Sequence, residues 1–436
     1  MQEIDKGALL AEGKTKYISE AEEDGKVLPG LVVIENKEDI TANDNPDLTK
    51  QFKAKAEFAT STTCRVFELL RAAGIPVAYR EQLSETEFLA DKCRMIPLEV
   101  VARRHAFGSF LKRNPHLTQT PPLRFSRLVT EFFLKTSHQT FINDDGDIVI
   151  LGLSEAEGVP PIEDPLISDA FSPGWQLLHP KKPVWDSKTL SCVSRQEVIG
   201  DSQVVEMADD LIRRVFLVLE GAWANLGYRL VDIKLEFGWT PEGVLVVADV
   251  VDGDSWRLVN QGWEDFSKQS FRDGEALDEV ERKYGLVASL AEQFRIPQQV
   301  LVLWRGSEHD EVLNVTELPV EIGQVILSGH KATKACLLQL TQLERNFQSG
   351  VIIAKVGMSN GLGPILAAHT NWPVIAIPDT MMEFPEDVWS SLRMPSNVPL
   401  LVCNERNAVN AALNILSQNN PLLYMKRRLA IEALDY

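Results

Sequence analysis

The segment Leu230-Val231-Asp232-Ile233-Lys234-Leu235-Glu236-Phe237-Gly238 restricts the fold more than any other stretch of the chain. Its polar and apolar residues alternate with period two, which suits a strand and not a helix. Asp232, Lys234 and Glu236 then share one face, while Val231, Ile233 and Leu235 point into a core. A second apolar run, residues 244–251, follows the turn Thr240-Pro241-Glu242-Gly243, so the two predict an antiparallel hairpin. The returning strand carries Asp249, with Asp252, Asp254 and Arg257 beyond it. Carboxylates gathered on one hairpin repel one another unless cations sit among them. Mg²⁺ takes one or two carboxylates and completes its shell with substrate phosphates, so this face reads as a metal and phosphate site. The plainer alternative is a solvated strand face of mixed charge.

The rest of the chain falls into two textures. Residues 7–42 read as β hairpins, 53–73 as a helix stopped by Gly74, and 76–79 and 95–102 as strands. Two stretches, 137–161 and 172–187, lose all periodicity and read as surface insertions. An amphipathic helix is expected over 204–226 and another over 275–294, ended by Ile296-Pro297. After it, short apolar runs at 300–304, 325–327, 351–356 and 374–377 are each followed by a loop. That pattern predicts a parallel α/β sheet with ligands at the strand ends.

At 436 residues the chain exceeds what one core supports, so two domains are expected. A net charge of -18 leaves no basic footprint for nucleic acid. No apolar run is long enough to span a membrane, and the first fourteen residues do not resemble a secretion signal. Cys64, Cys93, Cys192, Cys336 and Cys403 are scattered, which implies reduced thiols in a cytoplasmic setting, with neither a disulfide frame nor a zinc site.

Glu12-Gly13-Lys14-Thr15-Lys16 lacks the spacing and the following helix of a P-loop. It reads as a glycine turn between strands, where backbone amides and two lysines approach phosphates, or as a merely exposed basic hairpin. In the second half, Gly306-Ser307-Glu308-His309-Asp310, Ser328-Gly329-His330-Lys331 and Gly357-Met358-Ser359-Asn360-Gly361 each follow a strand-like run. Three such loops converge on one edge of a parallel sheet, and glycines there let backbone approach an anion.

The motifs E-G-K-T-K, M-I-P-L-E, R-R-x-A-x-G-S-F-L-K-R-N-P, L-V-D-I-K-L-E-F-G and A-D-V-V-D-G-D-S-W-R-L together resemble SAICAR synthetase over roughly residues 7–273. The resemblance implies an α+β, ATP-binding ligase domain that joins the carboxylate of CAIR to the amine of L-aspartate, with ATP and Mg²⁺. It implies Lys14 and Lys16 at the ATP phosphates, Met95 and Glu99 at the adenine side, and Lys135 near the nucleotide. Glu236 and Asp249 would hold the metal, Glu236 also the nucleotide, with Asp232 and Lys234 as catalytic residues on the same face. Arg103, Ser109, Asp254, Ser255, Arg257, Lys268 and Arg272 would hold CAIR and aspartate. Departures from the family pattern fall at Ala42-Asn43-Asp44, at Ser267, and at the insertion that separates Lys135 from Asp164 in sequence.

The second set of loops resembles the AIR carboxylase domain, which adds CO₂ to C4 of AIR without ATP. The resemblance implies an α/β parallel-sheet domain in which His330, beside Lys331, moves the C4 proton. Ser307 and Asp310 would bind the ribose phosphate, and Ser359 and Gly361 would form the second anion loop. His309, Gly329 and Met358 depart from the family, and the 311–327 segment is shortened. Two readings follow: a bifunctional purine-synthesis enzyme, or a ligase fused to an impaired carboxylase-like domain kept as an oligomerisation scaffold. The domains are expected at 1–273 and 299–436 with a helical connector over 274–298. A homo-oligomer is expected, an octamer through the second domain, acting on small molecules only.

Overall fold

The computed structural model describes residues 4–41, 49–51, 54–143, 145–156, 158–200, 203–272, 274–315 and 318–434. The chain separates into two compact units, Met1–Arg295 and Ile296–Tyr436. No helix among the described residues is long and apolar enough to cross a membrane, and all five cysteines are free.

The first unit is built on two antiparallel sheets. A five-stranded sheet contains Ile4–Glu12, Lys16–Glu23, Lys26–Asn36, Glu87–Asp91 and Tyr79–Gln82 in that spatial order. An eight-stranded sheet has Arg94–His105 at its middle, between Arg124–Leu134 and Arg229–Trp239. Leu245–Ala248 and Trp256–Val259 pair with different parts of Arg229–Trp239. The helix Val204–Asn225 covers this sheet, packing on Arg229–Trp239 and Arg94–His105. Its apolar residues recur at helical spacing: Ala208, Leu211, Ile212, Val215, Phe216, Leu219 and Trp223 are all buried. Each of the Leu, Ile, Val and Phe side chains among them stabilises the fold by roughly 1.5–3 kcal/mol when its surface leaves water. The helix stops at Gly227, whose φ of 85° only glycine adopts cheaply, and Tyr228 N–H returns to the Trp223 carbonyl at 2.9 Å.

Three expectations change here. The insertion is not structureless: Thr140–Ile142 and Ile148–Ile150 pair as a hairpin within it. Its ends are also adjacent in space. Thr136 N–H donates to Asp164 at 2.8 Å, and Asp164 N–H returns to the Thr136 hydroxyl at 3.0 Å. The stretch 172–187 contains the strand Gly174–Leu178, anchored by fully buried Trp175. Finally, the helix expected to be a connector, Leu277–Ala291, lies in the first unit and packs against Lys55–Ala72.

The second unit is a five-stranded parallel sheet. In spatial order its strands are Glu321–Ile326, Gln299–Arg305, Ser349–Val356, Val374–Pro378 and Leu401–Val402. Chain order reverses between Gln299–Arg305 and Ser349–Val356, the switch point at which open parallel sheets bind ligands. Its strands read as unbroken apolar runs because both faces are covered. One face holds Val302, Trp304, Ile352 and Ala354 with Leu340 and Leu366. The other holds Leu301, Leu303, Ile353 and Ile375 with Ala412 and Leu416. Among the described residues, no helix lies between Arg305 and Glu321. Leu313, Val315 and Leu318 of that coil pack on the sheet instead.

Candidate active sites

A cleft of about 610 Å³ opens on the eight-stranded sheet of the first unit. The alternating strand supplies its floor. Register pairs Asp232 with Arg103, Lys234 with Val101 and Glu236 with Glu99. Of the residues singled out from the sequence, Lys14, Glu99, Arg103, Ser109, Asp232, Lys234, Asp254, Ser255, Arg257 and Lys268 line it.

The strand differs in chemistry along its length, and Lys16, Met95, Lys135, Glu236 and Asp249 are not among the residues lining the cleft. Asp232 is buried, and it accepts from Arg103 at 2.5 Å and from Arg257 at 2.5 Å. Arg103 also donates to Glu131 at 2.6 Å and to the Ser109 hydroxyl at 3.2 Å. Gly108 makes this packing possible: a Cβ there would lie 2.5 Å from the Arg257 guanidinium. Asp232 lies on the polar face that alternation assigns it, and there it organises two arginines. Four residues along the strand, roughly 13 Å away, Glu236 is ion-paired with Lys135, and Lys16 with Asp249. Burial pushes the Glu236 carboxyl up, but Lys135, Lys234 and Lys16 outweigh it and hold it below the ordinary range. Lys234 stands between the two ends and donates to Glu99 at 2.9 Å. Burial pulls its ammonium down, while Glu99 and Glu236 more than reverse that, so the net shift is upward.

Asp249 lies one residue past the strand Leu245–Ala248, not on it. Its φ of 64° is the left-handed region, which Asp tolerates better than most side chains. It is diagonal to Glu236, whose register partner is Ala248. No group of three or more His, Cys, Asp or Glu gathers as metal ligands among the described residues. A pair of carboxylates does suit Mg²⁺, which takes its remaining ligands from phosphate and water.

Lys14 and Lys16 flank the turn between Ile4–Glu12 and Lys16–Glu23, which Gly13 N–H closes on the Lys16 carbonyl at 2.9 Å. This is a strand-to-strand turn, as expected, with no helix after it. Met95 is half-exposed opposite Gly238, where a Cβ would lie 2.7 Å from Cys93 and 3.1 Å from the Met95 sulfur. The Arg272 side chain and the segment Ala42-Asn43-Asp44 lie outside the described residues. Asp164, named from the sequence only for its separation from Lys135, lines the cleft, as do His179 and Lys181, which the sequence did not mark. They sit in irregular backbone between strands, where no periodicity marks them.

In the second unit the three loops lie at the same edge of adjacent parallel strands. His330 Nε2 is 3.4 Å from both the carbonyl and the hydroxyl oxygen of Ser359. A Cβ on Gly361 would meet the His330 ring at 2.3 Å, and one on Gly329 would meet Leu362 Cα at 2.6 Å. The Gly329 in this loop is thus required by close backbone approach. Asn360 secures the second loop, accepting from Gly363 N–H at 2.8 Å and donating to Ser391 at 2.9 Å. In the first loop Ser307 N–H donates to Asp310 at 2.9 Å, and His309 N–H to the Ser307 hydroxyl at 3.2 Å. Lys331 is exposed beside His330.

A charged cleft lined by Arg103, Asp232, Lys234 and Arg257, with a second cluster of lysines and carboxylates at Glu236 further along the same strand and outside the cleft lining, belongs to a chain that continues into a parallel sheet with histidine and glycine loops at its switch point, as suits a two-domain enzyme of small anionic metabolites. A family model described as SAICAR synthetase matches residues 9–166 and 188–288, and one described as AIR carboxylase matches 307–432. The chain belongs to the SAICAR synthetase family and carries an AIR carboxylase domain behind it. The probable multifunctional protein ADE2 of Caenorhabditis elegans is 34% identical, with 96% of this chain and 92% of that protein covered. The human bifunctional phosphoribosylaminoimidazole carboxylase/phosphoribosylaminoimidazole succinocarboxamide synthetase is 31% identical, with 98% and 93% covered. The crystal structure of phosphoribosylaminoimidazole-succinocarboxamide synthase from Ehrlichia chaffeensis is similar at 24% identity and a TM-score of 0.47, over 65% of this chain and 98% of that one.

Proposed function

We propose that the first unit ligates CAIR to L-aspartate with ATP and Mg²⁺, and that the second carboxylates AIR to CAIR without ATP. The observation that carries the ligase reading is the pair of anion centres roughly 13 Å apart on one strand. The Arg103–Arg257 pair, with Ser109 and Ser255, suits a phosphorylated imidazole carboxylate. Lys14, Lys16 and Lys135 suit the polyphosphate of ATP, with Met95 and Glu99 toward its adenine. Glu236 and Asp249 would hold Mg²⁺, which neutralises phosphate charge when bound. Lys234 stands between the two centres, where the substrates meet.

The chemistry follows from that placement. A carboxylate does not condense with an amine at neutral pH. Its oxygen attacks the γ-phosphorus of ATP and displaces ADP; the aspartate nitrogen then attacks the acyl carbon, phosphate leaves and a proton is lost. Little covalent work falls to the protein, so positioning and charge stabilisation dominate, and Lys and Arg outnumber His.

In the second unit His330 is the group that removes the C4 proton after CO₂ has added, with Lys331 beside it. Ser307 and Asp310 receive the ribose phosphate, and Ser359 and Gly361 form the other anion loop. Two assays on one purified sample test both halves: AIR with bicarbonate alone, and CAIR with ATP, Mg²⁺ and aspartate. Absence of ATP turnover in the second ends the ligase reading. Turnover in the second alone leaves the C-terminal unit as a scaffold.

Lys16 gives the ligase a pH signature. Burial, the largest influence, pushes its ammonium down to about 8 against the opposing charge of Glu236. Phosphate binds the protonated amine, so kcat/KM for ATP is expected to fall as pH rises through about 8. Lys16→Arg keeps its charge throughout and removes that fall. A flat wild-type profile across this range takes Lys16 out of the phosphate site.

A cytoplasmic setting fits the free thiols. Self-association through the second unit, as an octamer, fits the exposed apolar side chains Met382, Phe384, Trp389 and Leu392. Sedimentation of the full chain as a monomer would remove that part of the proposal.

A further inference from the structure

The helix Leu277–Ala291 reaches the ligase cleft from behind. Its Tyr284 is buried with Phe271 and Val280, and Phe58 packs against the same cluster. The ring lies against the backbone of Gly253, where a Cβ would come within 3.1 Å of Cε1 and 3.2 Å of Cζ. Its hydroxyl donates to Asp254 Oδ1 at 2.6 Å. Lys268 donates to the other oxygen at 2.7 Å, and Lys55 stands 3.9 Å from that same atom. The adjacent Lys283 donates to the Asp265 carbonyl at 2.8 Å and to Glu275 at 2.8 Å, and lies 3.4 Å from Glu264. Two consecutive residues of one helix thus grip both loops, 252–255 and 265–268, that furnish the cleft wall.

A carboxylate held by a donor on each oxygen cannot turn. Asp254 N–H is fixed as well, donating to Asp252 at 2.8 Å, so the loop and its side chain are set together. Lys268 is joined to the same loop twice, through its ammonium on Asp254 and through its N–H on the Gly253 carbonyl at 3.0 Å. Burial pushes the Asp254 carboxyl up, but Lys55 and Lys268 outweigh it and keep it ionised, so it remains an acceptor for the phenol.

We propose that Tyr284 is a positioning residue for the ligase. Its hydroxyl sets the orientation of Asp254 and, through it, the place of the Lys268 ammonium in the wall that receives the imidazole carboxylate. This rests on the ligase reading above. Tyr284 itself does not line the cleft and reaches it only through Asp254. The nucleotide centre lies with Lys16 and Lys135, so loss of the hydroxyl acts on one substrate and spares the other.

The test is steady-state ligation by the full chain with CAIR, aspartate, ATP and Mg²⁺, wild type beside Tyr284→Phe. The phenylalanine keeps the ring on Gly253 and loses only the donor. KM for CAIR is expected to rise about tenfold, the usual order for a hydrogen bond to a charged group, with KM for ATP unchanged. Gly253→Ala displaces the same ring from the other side and is expected to raise KM for CAIR in the same direction; it carries the test if the phenylalanine protein does not fold. An unchanged KM for CAIR in a folded variant, or a fall in kcat with no difference between the two KM values, overturns the proposal. A wild-type chain without ligation overturns the ligase reading itself, and the role of Tyr284 with it.

Discussion

Arg103→Met is expected to lower the free energy of unfolding of the first unit by about 3 kcal/mol and to abolish ligation. Arg103 is 3% exposed and serves three groups at once: Glu131 through Nε, Asp232 through one terminal nitrogen and Ser109 through the other. Methionine fills much of the same volume, so the loss measures charge and hydrogen bonding more than packing. Buried Asp232 and part-buried Glu131 would each lose a partner. Asp232 keeps Arg257 and Glu131 keeps Arg113, which sets the cost at the lower end of what breaking a buried pair entails. Urea unfolding of the full chain, followed through the tryptophans of the first unit, measures it. A loss below about 1 kcal/mol, the size of an exposed pair, would mean that the arginine is solvated and that the Asp232 centre is not built as described. Arg103→Lys separates charge from geometry. A lysine reaches one of the three partners at a time, so stability should recover in part while ligation does not.

This arginine also marks where the sequence stops being legible. The alternation over 230–238 places three polar residues on one face because a strand has period two, and the observed strand obeys it. Which cation meets Asp232 depends on Arg103, 129 residues away in the chain. No local pattern specifies that pairing; sheet register does. Lys283 and Tyr284 fail for a related reason. Helical periodicity over 275–294 identifies their helix, but it does not say which surface that helix covers. Gly174–Leu178 was missed because five residues between proline-rich loops are too short for alternation to register, although Trp175 is fully buried there. Asp164 was singled out only as a residue that the insertion separates from Lys135 in sequence. The fold brings it back to Thr136 and into the cleft wall.

The second unit was more legible in architecture than in chemistry. Continuous apolar runs such as Ser349–Val356 identify strands buried on both faces, and the loops after them must lie at one edge. The two-residue strand Leu401–Val402 carries too little pattern to be read. The shortened connection after Arg305 was visible as missing length. Its consequence was not: Leu313, Val315 and Leu318 of this coil pack on that face of the sheet. Glycines at 329 and 361 likewise look like ordinary turn residues until the interlocked loops show that a methyl group has no room at either.

His330→Asn is expected to lower AIR carboxylation by about 100-fold or more, with ligation unchanged. Addition of CO₂ to C4 leaves a proton that must be removed before the ring recovers its aromaticity, and an imidazole titrates in the range where it can take and return that proton. The loops present one. The His330 ring is exposed at the sheet edge, 3.4 Å from Ser359 and pressed against the backbone of Gly361. Asparagine keeps a polar group of similar reach and removes only the ability to titrate. A binding role would therefore survive the substitution in large part, and an acid–base role would not. His330 belongs to the second compact unit, so ligation from supplied CAIR should proceed at the wild-type rate in the same sample. Release of the C4 proton into solvent, measured with bicarbonate present, follows the step directly. Full AIR carboxylation by the variant would take His330 out of the proton transfer.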